Sequence, residues 1–246
     1  MIHIKQDLIK KNKVKTVKAL HVTYNEKGEQ QGVKDLEIFR YRANGNIYKY
    51  TSMNDRKDFI YNNNDLLVTT IFIGKNSRGI KNIINYNYDK DNNLLSIYKN
   101  GYLKKLYKSN TEERYNDDRL VSKIIYNGKL ETAEHFYAED GSIKESYNYK
   151  QSNNEIVQRE TSSSVTEFFY SEDGKYLGFK TVDKNDGQIL QEIHYQYGDN
   201  KVKISNPFND NIRIIEYDEN ELPIKDSYYK NGLLECEHII EYTYYN

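Results

Sequence analysis

The chain has 246 residues, with 36 basic and 37 acidic side chains, 13 glycines, 2 prolines and one cysteine, which excludes collagen-like and disulfide-rich classes. Its 25 tyrosines and 8 phenylalanines against 4 alanines favour strands over helices. No run approaches the ~18 apolar residues of a membrane-spanning helix, and the lone Cys236 has no internal partner. The expectation is a cytoplasmic protein with no membrane contact.

In chain order, residues 1–12 form a basic N-terminal segment with room for a short helical turn, and residues 13–246 read as a single β-repeat domain. Leu20, Val22 and Tyr24 open an alternation typical of half-buried strands. A Tyr followed by a polar, turn-forming quartet then recurs at Tyr24, Tyr41, Tyr61, Tyr88, Tyr115, Tyr137, Tyr170, Tyr197 and Tyr217. Asn110 to Arg114 could hold another helical turn, and the polar stretch Gln151 to Thr166 reads as a long loop or strand tip. Ile189, Ile193, Tyr195 and Tyr197 share one face of a further strand, and Ile240, Tyr242 and Tyr244 share one face of the last.

Tight turns need positive φ, which Asn, Asp and Gly adopt at least cost, so the recurring quartets mark hairpins. Asn-Gly pairs at Asn44, Asn100, Asn127 and Asn231, and Asp-Gly pairs at Asp140, Asp173 and Asp186, strengthen this reading. The Tyr before each turn can lay its ring across the strand pair and keep its hydroxyl in water. The predicted fold is all-β: tandem antiparallel hairpins in a long, twisted, curled open sheet, its ends protected by the basic N-terminal segment and polar turns.

The series from Tyr24 to Tyr245 resembles, in divergent form, the YD repeats of Rhs-type bacterial proteins. Tyr88-Asp89 and Tyr217-Asp218 keep the Tyr-Asp pair. Tyr98-Lys-Asn-Gly101 and Tyr229-Lys-Asn-Gly232 are similar to the Tyr-x-Asn-Gly element of MORN-like bacterial antitoxin repeats. The resemblance implies a non-catalytic protein-binding module, an immunity protein or antitoxin that occludes a toxin of an Rhs-like or other interbacterial system. The alternative is a carbohydrate- or cell-envelope-binding YD-repeat protein.

Signatures of chemistry are sparse. His3, His21, His135, His194 and His238 have no ligand-like spacing. Cys236 and His238 share a strand face but supply only two of a zinc site's four ligands. Asp89-x-Asp91-x-Asn93 imitates a calcium loop, yet Leu94 stands where Gly is needed, so a hairpin turn is expected. No enzyme, metal or cofactor is predicted; a pocket holding His194 or His238 beside carboxylates would revive a hydrolase.

Charge is uneven: residues 1–20 carry +5, 75–130 carry +6, 131–175 carry −6 and 210–246 carry −6. Such a map favours oriented docking of a charged protein partner, a basic toxin domain. Glu131, Glu134, Glu139, Glu145, Glu167 and Glu172 are the candidate partner-binding residues. Lys99, Lys104, Lys105 and Lys108 among tyrosines could touch nucleic acid, a weaker reading given the balanced total.

Overall fold

The computed structural model describes residues 4–74, 81–153 and 155–246; His3 lies outside them. A short helix, α1 (Gln6–Lys11), leads into β1 (Val14–Tyr24), β2 (Gln30–Tyr41), β3 (Ile47–Thr51), β4 (Asp55–Tyr61), β5 (Leu67–Gly74), β6 (Lys81–Tyr88) and β7 (Leu94–Lys99). Then come β8 (Tyr102–Lys108), β9 (Thr111–Asn116), β10 (Arg119–Asn127), β11 (Leu130–Tyr137), β12 (Ile143–Ser152), β13 (Glu155–Glu160) and β14 (Ser164–Tyr170). The last six strands are β15 (Tyr176–Asp183), β16 (Ile189–Tyr197), β17 (Lys201–Asn206), β18 (Asn211–Tyr217), β19 (Pro223–Lys230) and β20 (Leu233–Tyr244).

All twenty strands belong to one antiparallel sheet in which hairpin follows hairpin. The expected open sheet is corrected by its first strand. β1 pairs with β2 on one side and with β20 on the other, from Val14↔Tyr244 to Thr23↔Cys236. By its hydrogen bonding the sheet is closed, a barrel and not an open ribbon, so neither terminal strand is a free edge. The basic N-terminal segment therefore guards no edge. It forms α1, which lies on a sheet face.

Two shorter expectations also change. Thr111 to Arg114 form a strand, bonded to β8 and β10, and not a helical turn. Most of Gln151 to Thr166 is strand too: Ile156 and Val157 give β13 its apolar residues, and the Thr161 hydroxyl accepts the Ser163 and Ser164 amides to close a tight turn.

The Tyr-led turns share one construction at 25–29, 42–46, 62–66, 89–93, 138–142, 171–175 and 218–222. The first residue's amide donates to the fifth carbonyl, and the fourth residue's amide donates to the first carbonyl. The fourth position has positive φ: Gly28, Gly45, Asp65, Asn92, Gly141, Gly174 and Glu221. In each copy the Tyr is the last paired residue, and the register slips just before it. Its hydroxyl does not simply stay in water: Tyr61 donates to the Ile47 carbonyl at 2.7 Å, Tyr170 to the Ile156 carbonyl at 3.1 Å and Tyr24 to Glu237 at 2.6 Å. The copies at Tyr115 and Tyr197 make shorter turns, the first through Asp117 and Asp118, both at positive φ.

The chain divides into two compact units, residues 1–82 with 194–246, and residues 83–193. In the first, Ile9 of α1 is buried with Val14, Val17, Leu222 and Ile240, with Ala19, Phe39 and Tyr242 packed around them. The helix thus marks the core-facing side of β1, β2 and β20. In the second, Ile124, Thr166 and Ser122 are deeply buried, and Thr166 and Thr181 hydrogen-bond to each other at 2.9 Å.

Candidate functional site

Strand alternation carries the face marked by Val17 and Ala19 on to His21, and that of Ile240 on to His238. His21 and His238 are a cross-strand pair with ring centroids 4.6 Å apart. Beside them Asp226 is fully buried. Arg213 grips it bidentately, Nε to Oδ1 at 2.8 Å and Nη2 to Oδ2 at 2.9 Å, and the Tyr228 hydroxyl donates at 3.0 Å. Such a fork satisfies a buried carboxylate.

The histidines are less well served. His238 Nδ1 lies 4.0 Å from Asp226, beyond hydrogen-bond reach, and both it and His21 Nε2 are buried without a partner among the described residues. Burial, then the charge of His21, pushes the His238 pKa below its ordinary value. Burial and the charge of Asp226 push Tyr228 up to about 12. The cavity next to this cluster, bounded by Glu37, Phe39, Tyr41 and His238, holds ≈ 30 Å³, room for about one water molecule. Acid and base groups are assembled here beside a cavity of that size. Cys236 and His238 share the predicted face, and among the described residues no group of three or more His, Cys, Asp or Glu could hold a metal ion.

A larger opening adjoins α1. Ile4, Phe39, Tyr41, Ile47, Tyr61 and Leu67 provide apolar walls of a pocket of ≈ 600 Å³, and Gln6, Asn46 and Asp65 add polar groups. Gln6 donates to the Asn46 side chain, and the Arg42 guanidinium lies over the Tyr61 ring, 5.0 Å from its centroid. Burial raises the Tyr41 pKa to about 12. The turns 42–46 and 62–66 build the rim, so the repeated turn motif does shape a site. The sequence holds no signal for the pocket itself, because its walls join Ile4 and α1 to the consecutive strands β2–β5, more than thirty residues further on.

The six predicted glutamates do not form one surface. A bulge in β10–β11 pairs Tyr126 with Glu131 and Ile124 with Glu134, which puts two residues an odd step apart on the same face. There Glu134 is buried, with Arg114 at 3.3 Å, and burial followed by the charge of Glu134 raises the Glu131 pKa. Glu145, opposite Phe136, shares that face. Exposed Glu167 points the other way, since its neighbour Thr166 is buried beside Arg159. Glu139 and Glu172 lie in turns at opposite strand ends, Glu139 with Arg119 at 3.1 Å.

Sequence reading missed an ion-pair system in the same unit. Glu112 and Glu113, consecutive in β9, are both buried and point to opposite faces. Burial alone would raise Glu112, but Lys105 and Arg114, each 2.7 Å away, hold its pKa below the ordinary value. Glu113 is held low by Lys108 at 2.8 Å and by Tyr115, against the effect of burial. The available signal was Glu-Glu-Arg lying between lysine-bearing strands. Of the remaining candidates, His135 bonds Ser146 at 2.8 Å, and His194 is exposed on β16. Asp89 uses its carboxylate to close its own turn through the Asp91 and Asn93 amides, as expected of a hairpin.

No protein-family model and no curated protein matches the sequence. Among solved structures the chain is similar to a porin-like protein from Bacteroides uniformis ATCC 8492, at 12% identity and a TM-score of 0.27, over 94% of this chain and 96% of that one.

Several expectations change with the closed sheet. The immunity module that lays an open, curled sheet of repeats over a toxin is corrected with it, because β1–β20 pairing leaves no open sheet. The cytoplasmic location and the exclusion of membrane contact rested on the lack of a long apolar run. That criterion speaks to helices: no helix among the described residues is long and apolar enough to cross a membrane. Closed sheets cross with strands, so both expectations lose their basis.

Proposed function

We propose that this protein is a non-catalytic binding protein whose closed sheet supports a small-molecule pocket beside α1. The observation that carries this reading is a contrast of volumes. The acid–base cluster at Asp226 and His238 faces ≈ 30 Å³, whereas the aromatic-walled opening at Tyr41 and Tyr61 has ≈ 600 Å³, within the usual range of ligand sites. Its walls suit a compact ligand with an apolar body against Tyr61 and Ile47 and a hydrogen-bonding edge toward Asn46 and Gln6. The buried, ion-paired carboxylates elsewhere serve as structural ties.

Ligand-observed NMR with a library of small aromatic amides tests the reading. Binding to the wild-type protein is expected, with loss of binding in Leu66→Trp, which fills the pocket, while that variant keeps its melting temperature. Absence of binding by any library member, or turnover of a substrate that His238→Gln abolishes, overturns it.

A further inference from the structure

The sequence holds four Asn-Gly pairs, and the structure separates them into two classes. In an Asn-Gly pair the glycine amide nitrogen can attack the asparagine Cγ. A bond forms between that nitrogen and Cγ, the Cγ–Nδ2 bond breaks, and Nδ2 leaves as ammonia, taking up the proton that the glycine amide gives away. Water then opens the cyclic imide to aspartate or isoaspartate. The reaction needs an approachable glycine amide, which the missing Cβ permits, and an asparagine free to turn about its χ angles.

Two pairs are restrained, Asn44 at both the glycine amide and the carboxamide and Asn100 at the carboxamide alone. At Asn44 the Gly45 amide donates to the Arg42 carbonyl at 2.9 Å, Asn44 Oδ1 accepts the Asn46 amide at 3.1 Å, and Gly45 is buried. At Asn100 the Oδ1 atom accepts the Ile83 amide at 2.8 Å, a cross-strand tie to β6. The other two pairs differ. Asn127-Gly128 and Asn231-Gly232 are exposed at hairpin tips, and among the described residues neither the Asn127 and Asn231 carboxamides nor the two glycine amides have a hydrogen-bond partner.

We propose that Asn127 and Asn231 are sites of spontaneous deamidation in the folded protein, and that Asn44 and Asn100 are protected by the fold. Conversion adds a negative charge and, as isoaspartate, one extra backbone atom to a turn. At Asn231 this falls in the hairpin whose register, Lys230↔Leu233, positions β20.

Peptide mapping by mass spectrometry after prolonged incubation at neutral pH and 37 °C, in buffer and in concentrated urea, tests this. In urea all four pairs should react at similar rates. In buffer, Asn44 and Asn100 should slow by at least about fivefold, the cost of breaking a hydrogen bond worth ~1 kcal/mol, while Asn127 and Asn231 stay within about twofold of their urea rates. Equal slowing of all four in buffer, or earlier reaction at Asn44 or Asn100, overturns the assignment.

Discussion

Turns 42–46 and 171–175 have the same backbone. Each follows a tyrosine at a register slip, each closes with the same two hydrogen bonds, and each has glycine at positive φ in its fourth position. Their surroundings differ. A Cβ on Gly45 would stand 3.1 Å from Lys10 Cβ and 3.2 Å from the Gln6 carbonyl, whereas one on Gly174 would meet only the Glu155 carboxylate, at 3.5 Å. The turn motif encodes a bend, and α1 converts one copy of that bend into the wall of a pocket.

That contrast can be broken most severely from the helix side. Ile9→Ala should destabilise by ~3 kcal/mol, because Ile9 is fully buried against Leu222 and Val17, and chemical denaturation would measure it. Next, Gly45→Ala should cost about 2 kcal/mol, from positive φ plus steric conflict with α1. Gly174→Ala should cost about 1 kcal/mol from φ alone; equal losses would mean that α1 does not hold its turn. A gain is expected at Glu221, which occupies the same fourth position at φ 63°. Glu221→Gly should stabilise by ~1 kcal/mol in the same assay.

Smaller effects follow from charge. Because the folded His238 pKa lies below its ordinary value, the neutral ring is favoured by folding. Stability is therefore full above the unfolded histidine pKa of about 6.5 and declines as pH falls through it toward the folded value, by uptake of at most a single proton. His238→Gln should flatten that part of the stability–pH curve. Smallest of all, Lys175→Ala removes the exposed pair with Asp173 at 2.9 Å in the uncovered turn and should leave the melting temperature unchanged.

The hairpins were legible because their determinants are local. Tyr, polar quartet and Asn, Asp or Gly at positive φ are all read within a few residues, and the N-terminal helical turn and the strands ending at Tyr24, Tyr197 and Tyr244 follow from short-range patterns. Closure was not legible, since Val14↔Tyr244 joins opposite ends of the sequence and no local pattern marks it. The glutamates show a second limit. Composition places Glu131 and Glu134 in an acidic stretch, but a bulge decides that they share a face, and Arg114, reaching across β10 from β9, decides that Glu134 is paired. The Asp226–Arg213 fork was hidden for the same reason: its partners are thirteen residues apart in sequence and meet only across β18 and β19.

The β1–β20 seam also has a consequence for biosynthesis. While the nascent polypeptide grows from the ribosome, β1 can pair with β2 almost at once, but its other edge stays unclaimed until β20 has emerged. Hairpins can form one by one as they leave the exit tunnel, whereas the seam bridges almost the entire sequence and bears the largest loop-closure entropy. Throughout that interval the strand bearing Val17 and Val22 is the one most open to capture by a neighbouring polypeptide, so translation speed and chaperone access should govern yield more than any single hairpin does.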